Sequence, residues 1–137
     1  MEHKIIGYAR HVMKVLGKGQ KENVYQKALE VRLRRANIYC RSEVFCPILY
    51  MGEIVGYGRA DLVVDNIIIE FKANRAKPDE ASDQLAKYVR SLKAIVKKDY
   101  RGLILNFNQA TGVLEHSWQI EHVVSRFFEK DNLSQNV

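Results

Sequence analysis

Apolar residues recur at two different spacings along this chain of 137 residues. Spacings of three and four, which place side chains on one face of a helix, predict helices over residues 5–16, 21–36 and 79–93 and a closing helix over 120–130. Alternating and β-branched runs predict extended segments in the remaining stretches, which are 39–50, 54–57, 58–73, 102–107 and 113–118. The pattern therefore predicts an α/β protein in which helices flank a β-sheet.

Within that pattern, residues 58–73 combine a predicted hairpin with three charged side chains. Residues 65–66, Asp-Asn, suit a tight turn between two β-branched runs. Counting back from the turn along both strands places Asp61 directly opposite Glu70, with Cβ atoms roughly 4.5–5.5 Å apart. Lys72 follows two residues later, so it shares their face of the sheet. The sequence thus predicts two carboxylates and an ammonium group on one surface.

Two opposed carboxylates are unfavourable on a sheet unless positive charge neutralises them. A divalent cation does this more fully than one lysine, and Mg²⁺ usually takes one or two protein carboxylates together with water and phosphate oxygens. The arrangement favours a phosphodiester substrate, with Asp61 and Glu70 as ligands of Mg²⁺ or Mn²⁺ and Lys72 orienting the nucleophile or stabilising negative charge. The alternative is an ordinary amphipathic hairpin in which Lys72 forms a weak surface ion pair.

Two further motifs accompany the acidic pair, in a fixed order along the chain. Residues 19–25 read G-x-x-E-x-x-Y, and residues 84–88 read Q-x-x-x-Y. Between them lie Asp61 and the acid-x-lysine sequence formed by Glu70 and Lys72. An ordered set of this kind is far more specific than any one of its members.

On these motifs, over residues 5–107, the chain resembles the PD-(D/E)xK nuclease superfamily. It looks like the small proteins named after the G-x-x-E-x-x-Y motif, which are similar to the RecB-type branch. The proline that often precedes the family aspartate is Ala60 here, a common replacement. The resemblance implies a restriction-endonuclease-like core, in which a mixed central β-sheet is flanked by α-helices.

The resemblance also implies roles for individual residues. Glu22 would reach the metal directly or through water, the backbone carbonyl of Phe71 would add a ligand, and Gln84 and Tyr88 would support the site or contact the nucleic acid. The implied catalytic residues are Glu22, Asp61, Glu70, Lys72, Gln84 and Tyr88. The implied metal ligands are Asp61, Glu70, Phe71 and Glu22, and the implied nucleic-acid contacts are Lys72, Arg75, Lys77, Lys87 and Tyr88.

Structural explanations exist for the helical members of this set. Glu22 and Tyr25 are three residues apart and Gln84 and Tyr88 are four apart, so each pair occupies one side of a helix. An acid in the first turn of a helix is favoured by the helix dipole, which accounts for Glu22 without a metal. Tyr25 and Tyr88 are equally suited to partial core packing.

Composition narrows the classes of partner. The 22 Lys and Arg residues outnumber the 16 Asp and Glu residues, giving a formal net charge of +6 and a pI near 9.4. That balance favours a polyanionic partner, and the basic residues cluster at 32–41, 72–77 and 87–101, although such clusters are also typical of solvated helix faces. Cys40 and Cys46 predict reduced thiols and are too few for an iron–sulfur cluster. The four histidines show no metal-ligand spacing with them.

Length and hydropathy add expectations about organisation. The chain suits a single domain over residues 1–137, with residues 131–137 frayed. The amino terminus lacks the apolar stretch of a secretory signal and no run is long enough to span a membrane, so we expect a soluble, cytoplasmic protein without a membrane partner.

Together these observations predict a Mg²⁺- or Mn²⁺-dependent deoxyribonuclease that acts on DNA in repair, recombination or processing. The first alternative is a catalytically inert nucleic-acid-binding module of the same fold, and the second is an interaction protein whose basic faces dock acidic partners. The intact acid-acid-lysine set favours the enzyme. Cleavage at ends or internally, the strand type, the use of RNA and the formation of a homodimer stay open.

Overall fold

Helices and strands follow one another along the chain largely as the periodicity predicts. The structure, a computed structural model, describes residues 1–76 and 80–119. Its elements are α1 (Glu2–Leu16), α2 (Glu22–Arg35), β1 (Arg41–Tyr50), β2 (Glu53–Val64), β3 (Ile67–Lys72), α3 (Glu80–Val96), β4 (Arg101–Phe107) and β5 (Leu114–Trp118). The predicted helix at 120–130 and the predicted frayed tail at 131–137 lie outside the described residues.

The strands form a mixed sheet of order β1-β2-β3-β4-β5. Pairing is antiparallel everywhere except between β3 and β4, which run parallel. A parallel connection needs a crossover, and α3 provides it, because it lies between these two strands in the chain. The predicted fold, an α/β restriction-endonuclease-like core with a mixed sheet and flanking helices, is confirmed.

Side chains along β3 and β4 point alternately to the two faces of the sheet, and different helices cover the two faces. Ile67, Ile69 and Phe71 pack with α1 and α2 in one core. Ile68 and Ile104 pack with α3 in the other. Glu70 and Lys72 therefore stand on the α3 face, at the end of β3, where the apolar run stops.

One boundary differs from the prediction. Residues 54–57 and the first half of the predicted hairpin form a single strand of 12 residues, β2. Gly56 and Gly58 interrupt the apolar alternation in the sequence, yet both pair with β1, opposite Ile48 and Cys46. Pairing with β1 thus carries the strand through its glycines, and a single-sequence pattern does not contain that information.

The hairpin predicted around residues 65–66 is present. Val64 pairs with Ile67, and the antiparallel ladder between β2 and β3 continues as far as Leu62 and Ile69. Past this pair β2 still follows β1 and β3 still follows β4. The two strands therefore separate at the position where the next pair would be Asp61 and Glu70, so the prediction that these two residues pair directly across the ladder was wrong. No helix among the described residues is both long and apolar enough to cross a membrane.

Candidate active site

Asp61 lies at an irregular point of β2. The β1–β2 ladder pairs Ser42 with Leu62 and Val44 with Ala60, while the intervening Glu43 has a φ of 53° and forms no ladder pair with Asp61. Ala60 packs in the core under α3, whereas Leu62 packs in the core under α1 and α2. Residues two apart normally share a face, so the strand rotates locally at Asp61.

Two hydrogen bonds hold Asp61 at this point. Its Oδ2 accepts a hydrogen bond from the backbone N–H of Phe71 at 2.9 Å. Its backbone carbonyl accepts a second one from Nε2 of Gln26 in α2 at 2.8 Å. The first bond ties the carboxylate to β3 directly beside Glu70, and the second ties the strand to α2. The side chain of Asp61 thus takes over the link between β2 and β3 where the backbone ladder ends.

Glu70 is a buried acid, with 9% of its surface exposed. Burial is the main cause that raises the pKa of its carboxyl, to about 7, and the charge of Asp61 raises it further. Lys72 acts in the opposite direction and lowers this pKa. The protonation of Glu70 is therefore governed mainly by its burial and secondly by the neighbouring charge of Asp61.

The pKa of Asp61 is also raised, chiefly by burial. The N–H of Phe71 lowers it, while the charges of Glu43 and Glu22 raise it. Glu22 contributes in the same way to Glu70. Glu22, Asp61, Glu70 and Lys72 therefore lie close enough to act on one another electrostatically, although they come from α2, β2 and β3.

Glu22 is the first residue of α2 and is exposed. Its position agrees with the dipole explanation, since the amino end of a helix favours a negative charge. The same position directs its charge toward Asp61 and Glu70. The two explanations for this residue are therefore compatible.

The donor set suits a hard divalent cation. Two carboxylates lie close together in a partly desolvated position, and Oδ2 of Asp61 accepts a hydrogen bond from the backbone N–H of Phe71. Across residues 1–76 and 80–119, no three His, Cys, Asp or Glu side chains form a group that could hold a metal by themselves. A pair of carboxylates supplemented by backbone oxygen and water is the usual way in which Mg²⁺ is held. The residues present fit that ion.

Gln84 and Tyr88 act together on α3. Nε2 of Gln84 donates to the Tyr88 hydroxyl at 2.7 Å, and Tyr88 is 7% exposed. Burial raises the pKa of Tyr88, hydrogen bonds from Gln84 and the backbone of Arg59 lower it, and the charge of Glu70 raises it. A Cβ on Gly58 would lie 2.3 Å from the Tyr88 hydroxyl oxygen. The motif thus fixes α3 against β2 close to the acidic pair.

Tyr25 lies in the core. It is fully buried, and its ring stacks on Phe107 with a centroid distance of 4.3 Å. Its hydroxyl donates to the Gly17 carbonyl at 2.6 Å and accepts from Nε2 of Gln109 at 3.1 Å. Gln109 also accepts from the Gly19 N–H at 2.7 Å. The tyrosine and glycine of the G-x-x-E-x-x-Y motif therefore set the start of α2, and with it the position of Glu22.

The basic residues are less available than the sequence indicates. Arg75 and Lys87 are exposed, Lys72 is half-buried, and Lys77 lies outside the described residues. In the cluster at 87–101, Arg90 is buried. Three other members of that cluster form ion pairs, which are Lys93 with Asp99, Lys98 with Asp65, and Arg101 with Glu2.

Two supporting residues were missed by sequence reasoning. Gln26 is 7% exposed and one turn beyond Glu22, so the spacing already placed both on one face of α2. Asn106 is 1% exposed in β4, where it pairs with Lys72 and its Oδ1 accepts from the Asn74 N–H at 2.9 Å. A lone amide in an otherwise apolar strand was the available signal. Asn106 fixes the backbone that leaves β3 just after the acid-x-lysine sequence.

The mixed sheet and the acids gathered where β2 and β3 separate define a protein of the restriction-endonuclease-like class. The family model of the PD-(D/E)XK nuclease superfamily matches residues 1–118, and the chain belongs to this superfamily. Nucleases of this superfamily act on nucleic acids and generally use divalent metals such as Mg²⁺.

Among solved structures, the chain is similar to the crystal structure of SSO0001, with a TM-score of 0.52 and 20% sequence identity. The match covers 83% of this chain and 58% of that one, so the chain spans little more than half the length of that protein. At this identity the likeness shows the fold alone. The comparison with curated proteins gave no match.

Proposed function

We propose that this chain is a Mg²⁺- or Mn²⁺-dependent deoxyribonuclease that hydrolyses phosphodiester bonds. The observation that carries the proposal is the meeting of Asp61 and Glu70 at the point where β2 leaves β3, with Lys72 beside them. A buried acid whose pKa is raised to about 7 is costly to keep unless its charged form has a use. Binding a cation is that use.

Asp61 and Glu70 would hold the ion, together with the backbone carbonyl of Phe71, and Glu22 would assist directly or through water. When bound, Mg²⁺ supplies Lewis acidity toward a phosphoryl oxygen and makes a neighbouring water more acidic. The Lys72 ammonium orients the attacking water or stabilises charge that develops on the phosphate. Gln84 and Tyr88 keep α3 in place against β2. Because Tyr88 is only 7% exposed, it would contact the nucleic acid only through the exposed edge of its side chain.

Arg75, Lys77 and Lys87 complete the proposed nucleic-acid contacts through attraction to phosphates. Within the superfamily we assign the chain to the G-x-x-E-x-x-Y proteins of the RecB-like branch, on the motifs at residues 19–25 and 84–88. A role in DNA repair, recombination or processing follows from that assignment, as does a single nuclease-like domain over residues 1–137.

The test is cleavage of labelled linear, circular, flapped and four-way DNA with Mg²⁺, with Mn²⁺ and with a chelator. We expect metal-dependent cleavage that Glu70→Ala abolishes. Glu53→Ala is the matched control, because Glu53 is an exposed acid at the far end of the same strand as Asp61. Binding without cleavage on every substrate would instead identify an inert nucleic-acid-binding module, and equal activity of Glu70→Ala and the wild type would refute the site.

A further inference from the structure

The net positive charge of the chain is concentrated in its first two helices. Residues 1–36 hold 9 of the 22 Lys and Arg residues but only 3 of the 16 Asp and Glu residues. This segment therefore carries a formal charge of +6, and residues 37–137 are neutral in total. Attraction toward a polyanion should accordingly act from the side of α1 and α2.

The loop between α1 and α2, residues 17–21, lies at the end of the sheet that holds the acidic pair. The Gly19 N–H donates to Oε1 of Gln109 at 2.7 Å, and the Gln109 N–H donates to the Asn74 carbonyl at 3.1 Å. Asn74 follows Lys72 by two residues, where the chain leaves β3. The α1–α2 loop, the β4–β5 turn and the segment after β3 are therefore tied together at this end.

Glycines and hydrogen bonds fix the shape of the α1–α2 loop. Gly17 and Gly19 have φ values of 69° and 100°, a region that glycine adopts without strain. The Gly17 carbonyl accepts a hydrogen bond from the Tyr25 hydroxyl at 2.6 Å, and the Gly17 N–H donates to the Met13 carbonyl at 2.8 Å. Because the backbone is already ordered, a ligand that binds the loop has less conformational entropy to remove.

Lys18 and Lys21 are the cations of the α1–α2 loop, and both are exposed. Neither forms an ion pair with another residue of the described part of the chain. The stem of Lys18 lies along the β4–β5 turn, since its Cγ is 3.6 Å from the position of a Cβ on Gly112. Lys21 directly precedes Glu22. Two unpaired ammonium groups are thus available beside the acid that α2 contributes to the site.

These two lysines lie next to the candidate metal site and not within it. Lys72 lowers the pKa of Glu70 and Glu22 raises it, so both are within electrostatic reach of that acid. Lys18 and Lys21 are not among the charges that shift this pKa. A phosphate held by the loop would therefore be a neighbour of the phosphate that is cleaved.

We propose that Lys18 and Lys21 bind backbone phosphates of the DNA strand next to the scissile phosphate, so that the substrate crosses the α1–α2 loop to reach Asp61 and Glu70. This inference rests on the proposed function and assigns it a second binding surface. Lysine binds phosphate as a point charge and such contacts carry no sequence information, so the loop contributes affinity and position only. Its place beside the acids favours a substrate strand over an anionic membrane.

The experiment compares two double variants that remove the same charge at opposite ends of the molecule. Lys18→Gln/Lys21→Gln changes the loop. Lys4→Gln/Lys97→Gln is the matched control, because both residues are exposed and lie where α1 begins and where the chain enters β4. An ion pair joins the start of α1 to the start of β4, at the end of the sheet away from the acids.

Binding of a labelled duplex and of a labelled single strand is measured in chelator at several salt concentrations. We expect the loop variant to bind both more weakly, with the slope of log affinity against log salt reduced by about 1.4–1.8, since each lost contact removes about 0.7 for single strands and 0.9 for duplex. The control should keep the wild-type slope, and Lys18→Arg/Lys21→Arg should restore it. Equal losses in the loop variant and the control, or an unchanged slope in the loop variant, would overturn the proposal.

Binding to vesicles that contain phosphatidylserine distinguishes the other source of phosphate. The wild type should bind them no better than the loop variant does. Vesicle binding that the loop variant loses while its DNA binding is unchanged would refute the proposal and identify a membrane surface.

Cleavage with Mg²⁺ separates the loop from the metal site. If the lysines hold neighbouring phosphates, the loop variant should raise KM and leave kcat near the wild-type value. A fall in kcat at unchanged KM would contradict this position and place the lysines at the reacting phosphate. If the wild type binds DNA through the loop but cleaves no substrate, the proposed nuclease function fails and the phosphate-binding surface stands.

Discussion

At the scale of single residues, the site combines groups that are unfavourable in isolation. Glu70 is buried between apolar neighbours on β3 and faces the charge of Asp61, and Lys72 compensates only in part. Its pKa of about 7 in the folded chain lies above the ordinary value of 4.5. The fold therefore buries an acid whose charged form would be more stable in solvent.

Because burial destabilises the charged form of Glu70, the stability of the metal-free protein should change with pH. Because the folded chain holds the Glu70 proton more tightly than the unfolded chain, the free energy of unfolding without metal should fall as pH rises from 4.5 to about 7, and stay low above that range. In Glu70→Gln the charge never forms. Above about pH 7 the metal-free variant should be more stable than the wild type, by on the order of 3 kcal/mol, and the difference should vanish toward pH 4.5.

Thermal unfolding in chelator across this pH range checks the prediction. Addition of Mg²⁺ near neutral pH should stabilise the wild type and leave Glu70→Gln unchanged, since only the former keeps both carboxylates. Since metal competes with the proton on Glu70, a higher Mg²⁺ concentration should be needed below about pH 7. If metal-free Glu70→Gln were less stable than the metal-free wild type above neutral pH, burial of the Glu70 charge would not be what destabilises the folded protein.

At the scale of elements, α3 and β2 fit together through a close approach of a ring to a backbone. Tyr88 occupies the space that a side chain at position 58 would need. Gly58 therefore permits the hydroxyl of Tyr88 to receive its bonds from Gln84 and from the backbone of Arg59. The contact sets the distance between α3 and the strand that carries Asp61.

Gly58→Ala should accordingly destabilise the protein by about 1–3 kcal/mol and lower cleavage, because the new Cβ would meet three atoms of the Tyr88 side chain at under 3 Å. Gly56→Ala is the matched control on the same strand. A Cβ at that position meets only Cδ1 of Ile48, at 3.8 Å, so no loss is expected. Denaturant unfolding measures both. Equal effects of the two substitutions would mean that the glycine itself, and not Tyr88, limits position 58.

The elements also show where sequence patterns sufficed. The hairpin turn and the alternation of β3 follow from local composition, and both were predicted correctly. Whether Asp61 and Glu70 pair across a regular ladder depends on contacts between different strands, so local sequence could not decide it. Glu43 interrupts the β1 side, and Phe71 bonds to the Asp61 carboxylate, so the two strands part at this pair.

At the scale of the whole molecule, fewer basic residues are available to attract phosphate than the net charge indicates. Several basic residues of the cluster at 87–101 pair with acids from other elements, such as Lys98 with Asp65 and Arg101 with Glu2. Exposed ion pairs of this kind contribute little to stability, but in each pair the acid partly neutralises the charge of the basic residue. The net charge of +6 should therefore act through a small number of phosphate contacts.

The measurable consequence is a moderate dependence of DNA binding on salt. With two or three phosphate contacts to DNA, affinity in chelator should fall about tenfold or more between roughly 50 and 200 mM salt. Arg75→Ala should reduce the slope of the logarithmic plot, because it removes one exposed cation three residues beyond Lys72. Anisotropy titrations at several salt concentrations measure the slope. A slope near zero would indicate that phosphate attraction does not contribute to binding.

The sequence by itself determined the element order, the superfamily motifs and the identity of the acids and lysine, because periodicity and turn chemistry act over a few residues. The tertiary structure decided what depends on contacts between distant segments. It placed Tyr25 in the core, bound the side chain of Gln26 to the backbone carbonyl of Asp61, paired three basic residues of the cluster at 87–101 with acids and left Phe45 and Tyr57 exposed. Burial and pairing are properties of packed neighbours, and a linear pattern does not specify which neighbours a side chain will meet.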